Sequence, residues 1–270
     1  MGTVRVGVVG WPVAHSRSPA IFGHWFDRHA IAARYDRIAV PPEEADEFFA
    51  GLPDDLHGCN VTIPHKAVAA RHAERRDAAE RLGVANTLWR EGGRLLATSS
   101  DGEGFLRSLD AARPEWGAIP GTAVVLGAGG AAIAIADALA ARGARVVVVN
   151  RTADKAETIA AATGGAAAAW EALPDALADA GLLVNATSLG MVGQPPLSVD
   201  LSPLDRRATV ADIVYTPLET PLLAAARARG IAAVDGLGML LHQATVGFEK
   251  WFGIRPTVDE ALRRAVLATV

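Results

Sequence analysis

Cysteine is nearly absent from this chain: Cys59 is the only one among 270 residues. A single thiol excludes an internal disulfide and a multi-cysteine zinc site. Charged residues make up only 21% of the chain and half of it is apolar, ordinary for a soluble globular protein with ample core. There is no excess of positive charge either. Lys and Arg total 26 against 30 Asp and Glu, a formal net charge of -4, the wrong sign for nucleic acid or an anionic membrane as main partner. The one basic cluster, "RHAERR" at 71–76, has acids nearby and reads as a solvated helix face. Two uncharged stretches, 117–136 and 180–199, approach membrane-spanning length. The first contains Pro120 and five glycines, and the second Asn185, Gln194 and Pro195-Pro196, so both read as strands with tight turns. The chain opens directly into an apolar run, without the charged and apolar regions of a signal peptide, and reads as cytoplasmic.

What the chain has is alternation. Short apolar runs at 4–9, 58–63, 123–126, 145–149, 181–185 and 208–214 read as strands, and helical patterns at 43–50, 66–82, 130–142 and 153–162 lie between them. Such an order implies an α/β fold with a parallel sheet and helices on its faces. Pro and Gly punctuate "ARPEWGAIPG" at 112–121, where a boundary between two regions is expected.

The second region opens on "AVVLGAGGAAIAIADALAARGARVVVVNRT", a strand, a glycine turn, a helix and a second strand. Gly127, Gly129 and Gly130 allow a turn whose backbone approaches a pyrophosphate at the positive end of the helix. The alternative is a βαβ unit that holds no nucleotide. Sites for NAD usually place Asp or Glu at the end of the second strand. Here stand Asn150, Arg151 and Thr152, with Lys155 one turn later. Two cations and no carboxylate suit the 2′-phosphate of NADP, unless both simply face water.

Three polar motifs mark the first region. In "HSRSP", Ser18 before Pro19 fits a helix N-cap, which leaves Ser16 over. Two hydroxyls beside the unpaired N–H groups of a helix start also suit a carboxylate or phosphate. "NVTIPHK" ends a strand with Asn60, Thr62 and Lys66, a lysine placed to act as acid or base if partly buried, or else an ordinary surface lysine. Asn86 and Asp101 follow on separate loops.

In order, then, the chain carries Ser16–Pro19, Asn60–Lys66, Asn86-Thr87, Asp101-Gly102, the Gly127 loop and Asn150-Arg151-Thr152. "NATSLGM" at 185–191, "DIVYTPLETP" at 212–221 and "GLGMLLHQA" at 236–244 complete the set. With these motifs the chain resembles the shikimate dehydrogenase family over essentially its whole length. The resemblance implies an N-terminal catalytic α/β domain with a parallel-rich sheet, a Rossmann-like NADP-binding domain, and C-terminal helices that return to the first domain. The bounds expected are 1–104 plus 237–270 for the substrate domain and 118–236 for the cofactor domain; the helical pattern at 239–252 fits the return.

By the same resemblance, the activity is the NADPH-dependent, reversible reduction of 3-dehydroshikimate to shikimate, on the route to chorismate and the aromatic amino acids. Lys66 and Asp101 would be catalytic. Ser16 and Ser18 would bind the substrate carboxylate with Tyr215 nearby, and Asn60, Thr62, Asn86, Asp101 and Gln243 would bind the rest of the substrate. The cofactor would meet Gly127, Ala128, Gly129, Gly130, Ala131, Asn150, Arg151, Thr152, Lys155, Thr187, Ser188, Ile213, Gly236 and Met239. No metal, nucleic acid or membrane is expected, and the protein would be a monomer or homodimer. Competing readings are a quinate/shikimate dehydrogenase and a catalytically silent NADP-binding regulator on the same fold. Departures from the family's usual pattern are Ser99-Ser100 in place of Asn-Thr, Val84-Ala85 in place of Ala-Val, and Ile133 in place of a polar residue. The first of these lies in the substrate site.

Overall fold

The computed structural model describes residues 3–119 and 121–269; Pro120, part of the expected boundary segment, and residues 1, 2 and 270 lie outside them. The chain divides into two compact units, Met1–Ser100 with Leu241–Val270, and Asp101–Leu240.

The first unit is built on a six-stranded sheet of order β2-β1-β3-β5-β6-β4. Its strands are β1 (Val4–Gly10), β2 (Ala33–Ala39), β3 (Leu56–Val61), β4 (Glu74–Arg75), β5 (Thr87–Glu91) and β6 (Arg94–Thr98). Its helices are α1 (Ser18–His29), α2 (Ala45–Ala50), α3 (Lys66–Arg71) and α4 (Asp77–Leu82). β1 pairs in parallel with β2 and β3, whereas β5 runs antiparallel to both β3 and β6. The sheet is therefore mixed rather than simply parallel. The hairpin turns on Gly92 and Gly93, whose φ angles of 57° and 76° suit glycine.

The expected helix over 66–82 is two helices, and "RHAERR" is not a helix face. β4 interrupts it, pairing Glu74 with Leu96 and Arg75 with Ala97, and Arg76 N–H donates to the Ala97 carbonyl at 2.8 Å. The open edge of β6 has peptide groups that need partners, and this segment leaves the helical path to supply them. Two of the cluster's three arginines are held by acids: Arg71 by Asp46 at 3.0 Å, and Arg76 by Glu74, which also binds Arg94 at 3.0 Å.

One face of this sheet packs Val9, Val61, Leu88 and Ala97 against Phe49 of α2 and Ala69 and Ala70 of α3. The aromatic residues are concentrated elsewhere in the unit. Phe22 and Trp25 of α1 lie 5.3 Å, ring to ring, from Trp251 and Phe248 respectively, both on the returning helix α10 (Gly236–Phe252), which starts three residues before the expected pattern at 239. Trp251 Nε1 donates to the Leu88 carbonyl at 2.8 Å. Gly58 leaves it room, because a Cβ there would collide with the indole and stand 2.7 Å from that same carbonyl oxygen. The last helix, α11 (Glu260–Leu267), is capped by Asp259, whose carboxylate accepts from Leu262 N–H at 2.9 Å.

The second unit is a six-stranded, all-parallel sheet of order β12-β11-β10-β7-β8-β9. Its strands are β7 (Thr122–Leu126), β8 (Val146–Val149), β9 (Ala166–Ala168), β10 (Ala180–Asn185), β11 (Thr209–Asp212) and β12 (Ala232–Val234). Around it lie α5 (Asp101–Ala112), α6 (Gly130–Ala141), α7 (Ala153–Thr163), α8 (Leu173–Ala178) and α9 (Pro221–Ala228). Alternate residues face opposite ways, so Ala123 and Val125 join one core with Ile135 and Leu139, while Val124 and Leu126 join another with Leu177 and Leu223. This unit begins at Asp101, earlier than the 112–121 segment. The reason is close packing of α5 on α6: a Cβ on Gly102 would press on the Ala134 carbonyl and sit 2.8 Å from Ala138 Cβ. The alanines of α6 are thus a contact surface.

No helix among the described residues is long and apolar enough to cross a membrane. Cys59 is 0% exposed, and burial pushes its thiol up to about 12. Reactivity needs a thiolate with solvent access, and Cys59 lacks both. An aromatic disulfide reagent at neutral pH should leave the native protein unlabelled and label one thiol per chain in denaturant. Fast labelling of the native protein would show that the core around β3 opens readily.

Candidate active site

In the first unit, polar side chains replace apolar ones where β3, β5 and β6 meet the entry to α5. Asn86 Oδ1 accepts from Ser100 N–H at 2.7 Å and from Ser100 Oγ at 3.1 Å, and Asn86 Nδ2 donates to Gln243 Oε1 at 3.2 Å. Asn60 Nδ2 donates to the Asn86 carbonyl and to Thr87 Oγ1, both at 3.2 Å. Asn60, Asn86, Thr87, Ser100 and Gln243 are all buried. Buried amides and hydroxyls are stable only when satisfied, and here each satisfies the next. Asp101, 4% exposed, follows Ser100 in the chain at the start of α5.

Thr62 and Lys66 are half-buried, one just past the end of β3 and the other at the start of α3. Thr62 N–H donates to the Val9 carbonyl at 2.9 Å, extending the β1–β3 pairing beyond the strand end. His65, before the lysine, is buried with Nε2 2.7 Å from the Val40 carbonyl. That contact anchors the first turn of α3 and hence the base of the Lys66 side chain.

Helix capping by Ser18 does not occur. Ser18 is already inside α1, and the N-cap is Arg17, which makes no side-chain capping bond. Ser16, the serine left over by the capping argument, accepts from Ser18 N–H through Oγ at 3.3 Å. Ser16 is half-buried and Ser18 is 4% exposed.

Two further residues meet this loop from β2, which no apolar pattern announced. Tyr35 Oη donates to Asn60 Oδ1 at 2.8 Å, and Arg37 donates through Nε and Nη2 to the Ser16 carbonyl at 3.0 and 2.8 Å. Desolvation raises the Tyr35 pKa well above the ordinary phenol value, with a hydrogen bond from Ser18 opposing it.

In the second unit, Gly127 has a φ of 109°, and a Cβ on it would lie 2.9 Å from Thr187 Cγ2. Only glycine fits that position. Gly129 is the N-cap of α6, exposed, and a Cβ on it would meet nothing within 4 Å. Bare backbone thus stands before the amino end of a 12-residue helix, with half-buried Ala128, Gly130 and Ala131 alongside. This arrangement fits a pyrophosphate. Past the end of β8, Asn150 Nδ2 donates to the Thr152 carbonyl at 3.0 Å, and Arg151, Thr152 and Lys155 are exposed. Among the described residues neither Arg151 nor Lys155 forms an ion pair.

The loops after β10 and β11 are tied by a buried carboxylate that no local sequence pattern singles out. Asp212, 2% exposed, accepts from Val214 N–H at 3.0 Å, Asn185 Nδ2 at 2.9 Å and Thr220 Oγ1 at 2.7 Å. Burial raises its pKa, and those three donors oppose the rise. Asn185 Oδ1 in turn accepts from Thr187 N–H and Oγ1, so the Thr187 hydroxyl serves its own loop. Ser188, Ile213 and Tyr215 are half-buried on these loops, and Gly236 and Met239 are buried at the start of α10. A Cβ on Gly236 would collide with the Ile213 carbonyl. Among the described residues no group of three or more His, Cys, Asp or Glu could hold a metal ion.

Three family models match the chain in order: the shikimate dehydrogenase substrate binding domain over 8–88, shikimate / quinate 5-dehydrogenase over 117–192, and the shikimate 5′-dehydrogenase C-terminal domain over 236–267. A shikimate dehydrogenase (NADP(+)) from Methylobacterium radiotolerans is 56% identical, covering 99% of this chain and 98% of its own. Among solved structures, the shikimate 5-dehydrogenase of Thermus thermophilus in complex with NADP(H) and shikimate is similar, with a TM-score of 0.87 and 33% identity, covering 99% of this chain and all of that one. The quinate dehydrogenase of Corynebacterium glutamicum in complex with NAD has a TM-score of 0.88 and 30% identity over the same shares. With nearly its whole length matched at such identity, the chain belongs to the shikimate dehydrogenase family.

Proposed function

We propose that this protein is an NADP-dependent oxidoreductase that interconverts 3-dehydroshikimate and shikimate. The observation that carries the reading in this chain is the satisfied amide and hydroxyl network of Asn60, Asn86, Thr87, Ser100 and Gln243, in the same unit as the serine pair and Lys66. A cyclic polyhydroxy acid requires that combination: donors for a carboxylate, and groups that both donate and accept for hydroxyls. The unit with Gly127 and Arg151, Asp101–Leu240, is the cofactor unit, and Met1–Ser100 with Leu241–Val270 is the substrate unit, where the resemblance implied 118–236 and 1–104 plus 237–270. Relatives at 56%, 54% and 51% identity are named shikimate dehydrogenase (NADP(+)), which supports both substrate and cofactor.

NADPH, when bound, supplies the hydride that reduces the ring ketone. The chain's own residues do the rest. Ser16 and Ser18 hold the carboxylate, with Tyr215 also assigned to it. Asn60, Thr62, Asn86, Asp101 and Gln243 hold the ring hydroxyls and so orient the ketone. The Lys66 ammonium stabilises the charge developing on the ketone oxygen and delivers its proton; in the reverse direction it takes the hydroxyl proton. Asp101 orients Lys66 and accepts from a substrate hydroxyl. The backbone of Gly127 to Ala131 holds the pyrophosphate, and Arg151 with Thr152 and Lys155 holds the 2′-phosphate. Thr187, Ser188, Ile213, Gly236 and Met239 line the remainder of the cofactor. We assign the enzyme to the cytoplasm, as a monomer or homodimer.

Quinate is the alternative substrate, favoured by the likeness to a quinate dehydrogenase. A spectrophotometric assay crossing shikimate and quinate with NADP and NAD separates the two readings. Turnover of shikimate with NADP at the highest kcat/KM is expected; quinate with NAD as the better pair would overturn the proposal. Tight NADPH binding without any turnover would favour the silent regulator.

Lys66→Ala should lower kcat about a hundredfold or more, the loss expected for a positioned acid/base, with little change in KM for shikimate. A variant that keeps most of its kcat would remove Lys66 from proton transfer. For the cofactor, one charge-assisted hydrogen bond is worth about 1.5–3 kcal/mol, so a single good contact from Arg151 gives roughly ten- to a hundredfold preference for NADP. Asn150→Asp with Arg151→Ala removes that attraction and adds repulsion, and kcat/KM should move toward NAD. A ratio of the two kcat/KM values that does not change would show that the 2′-phosphate is held elsewhere.

A further inference from the structure

Three of the four sheet edges are short: β4 is two residues long, and β9 and β12 are three each. Short edges offer little backbone to pair with, which keeps sheets from joining one another. β2 breaks that pattern. It ends its sheet with seven residues, Ala33–Ala39, pairs with β1 in an unbroken register and contains no proline. The bonds at the two ends of the ladder show which side of it is open. Val4 N–H donates to the Ala32 carbonyl at 3.0 Å, and Val40 N–H to the Gly10 carbonyl at 3.2 Å. Strand residues alternate, so Arg34, Asp36 and Ile38 turn their peptide groups toward β1, and Ala33, Tyr35, Arg37 and Ala39 turn theirs away. Ala33 N–H is taken by the Ile31 carbonyl at 3.0 Å. The Ala33 carbonyl and the N–H and C=O groups of Tyr35 and Arg37 therefore line the open edge. On one face of the strand stand Arg34 and Asp36, two residues apart and opposite in charge, with Arg34 exposed.

We propose that β2 is a self-association edge: a second copy of this chain adds its own β2 antiparallel to this one, across a two-fold axis at Tyr35. Two six-stranded sheets then become one, and the dimer is closed. The charges select the register. With Tyr35 opposite Tyr35, each Arg34 lies directly across from Asp36 of the second copy, in a pair without backbone bonds, where side chains come closest. Asp36 is already fixed for this, since Arg5 Nε holds its Oδ2 at 2.8 Å, whereas Arg34 of its own chain stands at 3.6 Å. Arg37 N–H meets the Ala33 carbonyl of the second copy. The small alanine leaves the Arg37 side chain free to keep both its bonds to the Ser16 carbonyl. Tyr35 is no obstacle, because its ring stays in its own chain, stacked on Phe22 with centroids 4.2 Å apart. Moving the axis by one residue sets Asp36 against Asp36 or Arg34 against Arg34, and moving it to Arg37 sets two arginines together. Like charges directly opposite work against pairing, so only the Tyr35 register satisfies backbone and charge at once.

The test combines sedimentation equilibrium of the full chain with amide hydrogen exchange read residue by residue. The wild type should show a reversible monomer–dimer equilibrium at micromolar concentration. Arg34→Glu sets a carboxylate opposite Asp36 in both symmetry-related pairs, and should weaken the dimer about tenfold or more. Arg34→Ala, which removes the attraction and adds no repulsion, should fall between that variant and the wild type. Because Arg34 is exposed, both variants should fold, and a thermal melt of the dilute proteins checks it. Exchange locates the interface. The Tyr35 and Arg37 amides should exchange slowly in the dimeric wild type and quickly in Arg34→Glu, while those of Arg34, Asp36 and Ile38 stay protected in the wild type and in Arg34→Glu by β1. A chain that remains monomeric across the micromolar range overturns the proposal. So does a dimer whose Tyr35 and Arg37 amides exchange quickly, or one that Arg34→Glu leaves unchanged, because it is then built on another face or in another register.

Discussion

The side chain of Asn86 is the tie on which the substrate end of the molecule depends. Its Oδ1 takes the N–H of Ser100, a residue 1% exposed that has left the β6 ladder and precedes α5. Its Nδ2 reaches Gln243, 157 residues away on α10. One amide thus joins the hairpin, the entry to α5 and the returning helix. Leaving such a donor unsatisfied would cost about 1–3 kcal/mol, so the orientation of Asn86 is strongly fixed. Asn60 and Thr87 then inherit their orientations from it, and Tyr35 inherits its partner from Asn60.

The second unit relies on the same device with a charge at its centre. Asp212 accepts from three donors at the end of β11, and through Asn185 it also governs the loop after β10. A carboxylate buried at this depth is costly on its own, which is why burial raises its pKa; three hydrogen bonds recover part of the cost. Both units therefore order their functional loops by buried polar networks at strand ends. The chemistry differs in what each loop presents: hydroxyls, amides and a lysine in one, bare glycine backbone and exposed cations in the other.

Much of this was legible in sequence because it follows from short-range patterns. The apolar runs at 123–126 and 145–149 and the glycine turn between them became β7, β8 and the start of α6 nearly as read. The hairpin also has a local signal, since Gly92-Gly93 between two strand-like segments is a strong two-residue turn signal. Other features have no local signal. The helical pattern over 66–82 is real on both sides of its break; only the unpaired edge of β6, distant in sequence, forces the interruption. β2 reads as polar because it is an edge strand, so Tyr35 and Arg37 stayed hidden in a stretch without apolar periodicity. Asp212 stood inside a quoted motif, but a carboxylate shows its burial only once the sheet is assembled.

The Ser99-Ser100 pair, where the family usually has Asn-Thr, gains a physical meaning in this setting. Ser100 needs a hydroxyl within reach of Asn86, Thr87 and Gln243, and serine provides one at 3.1, 3.3 and 3.4 Å. Replacing threonine there removes a methyl group and keeps every polar contact. Ser99 is different: it is 7% exposed, and its Oγ is buried without a hydrogen-bond partner among the described residues. The two halves of the departure are therefore unequal. Position 100 preserves the network that orients Asn86 and Gln243, whereas position 99 adds no side-chain hydrogen bond among the described residues.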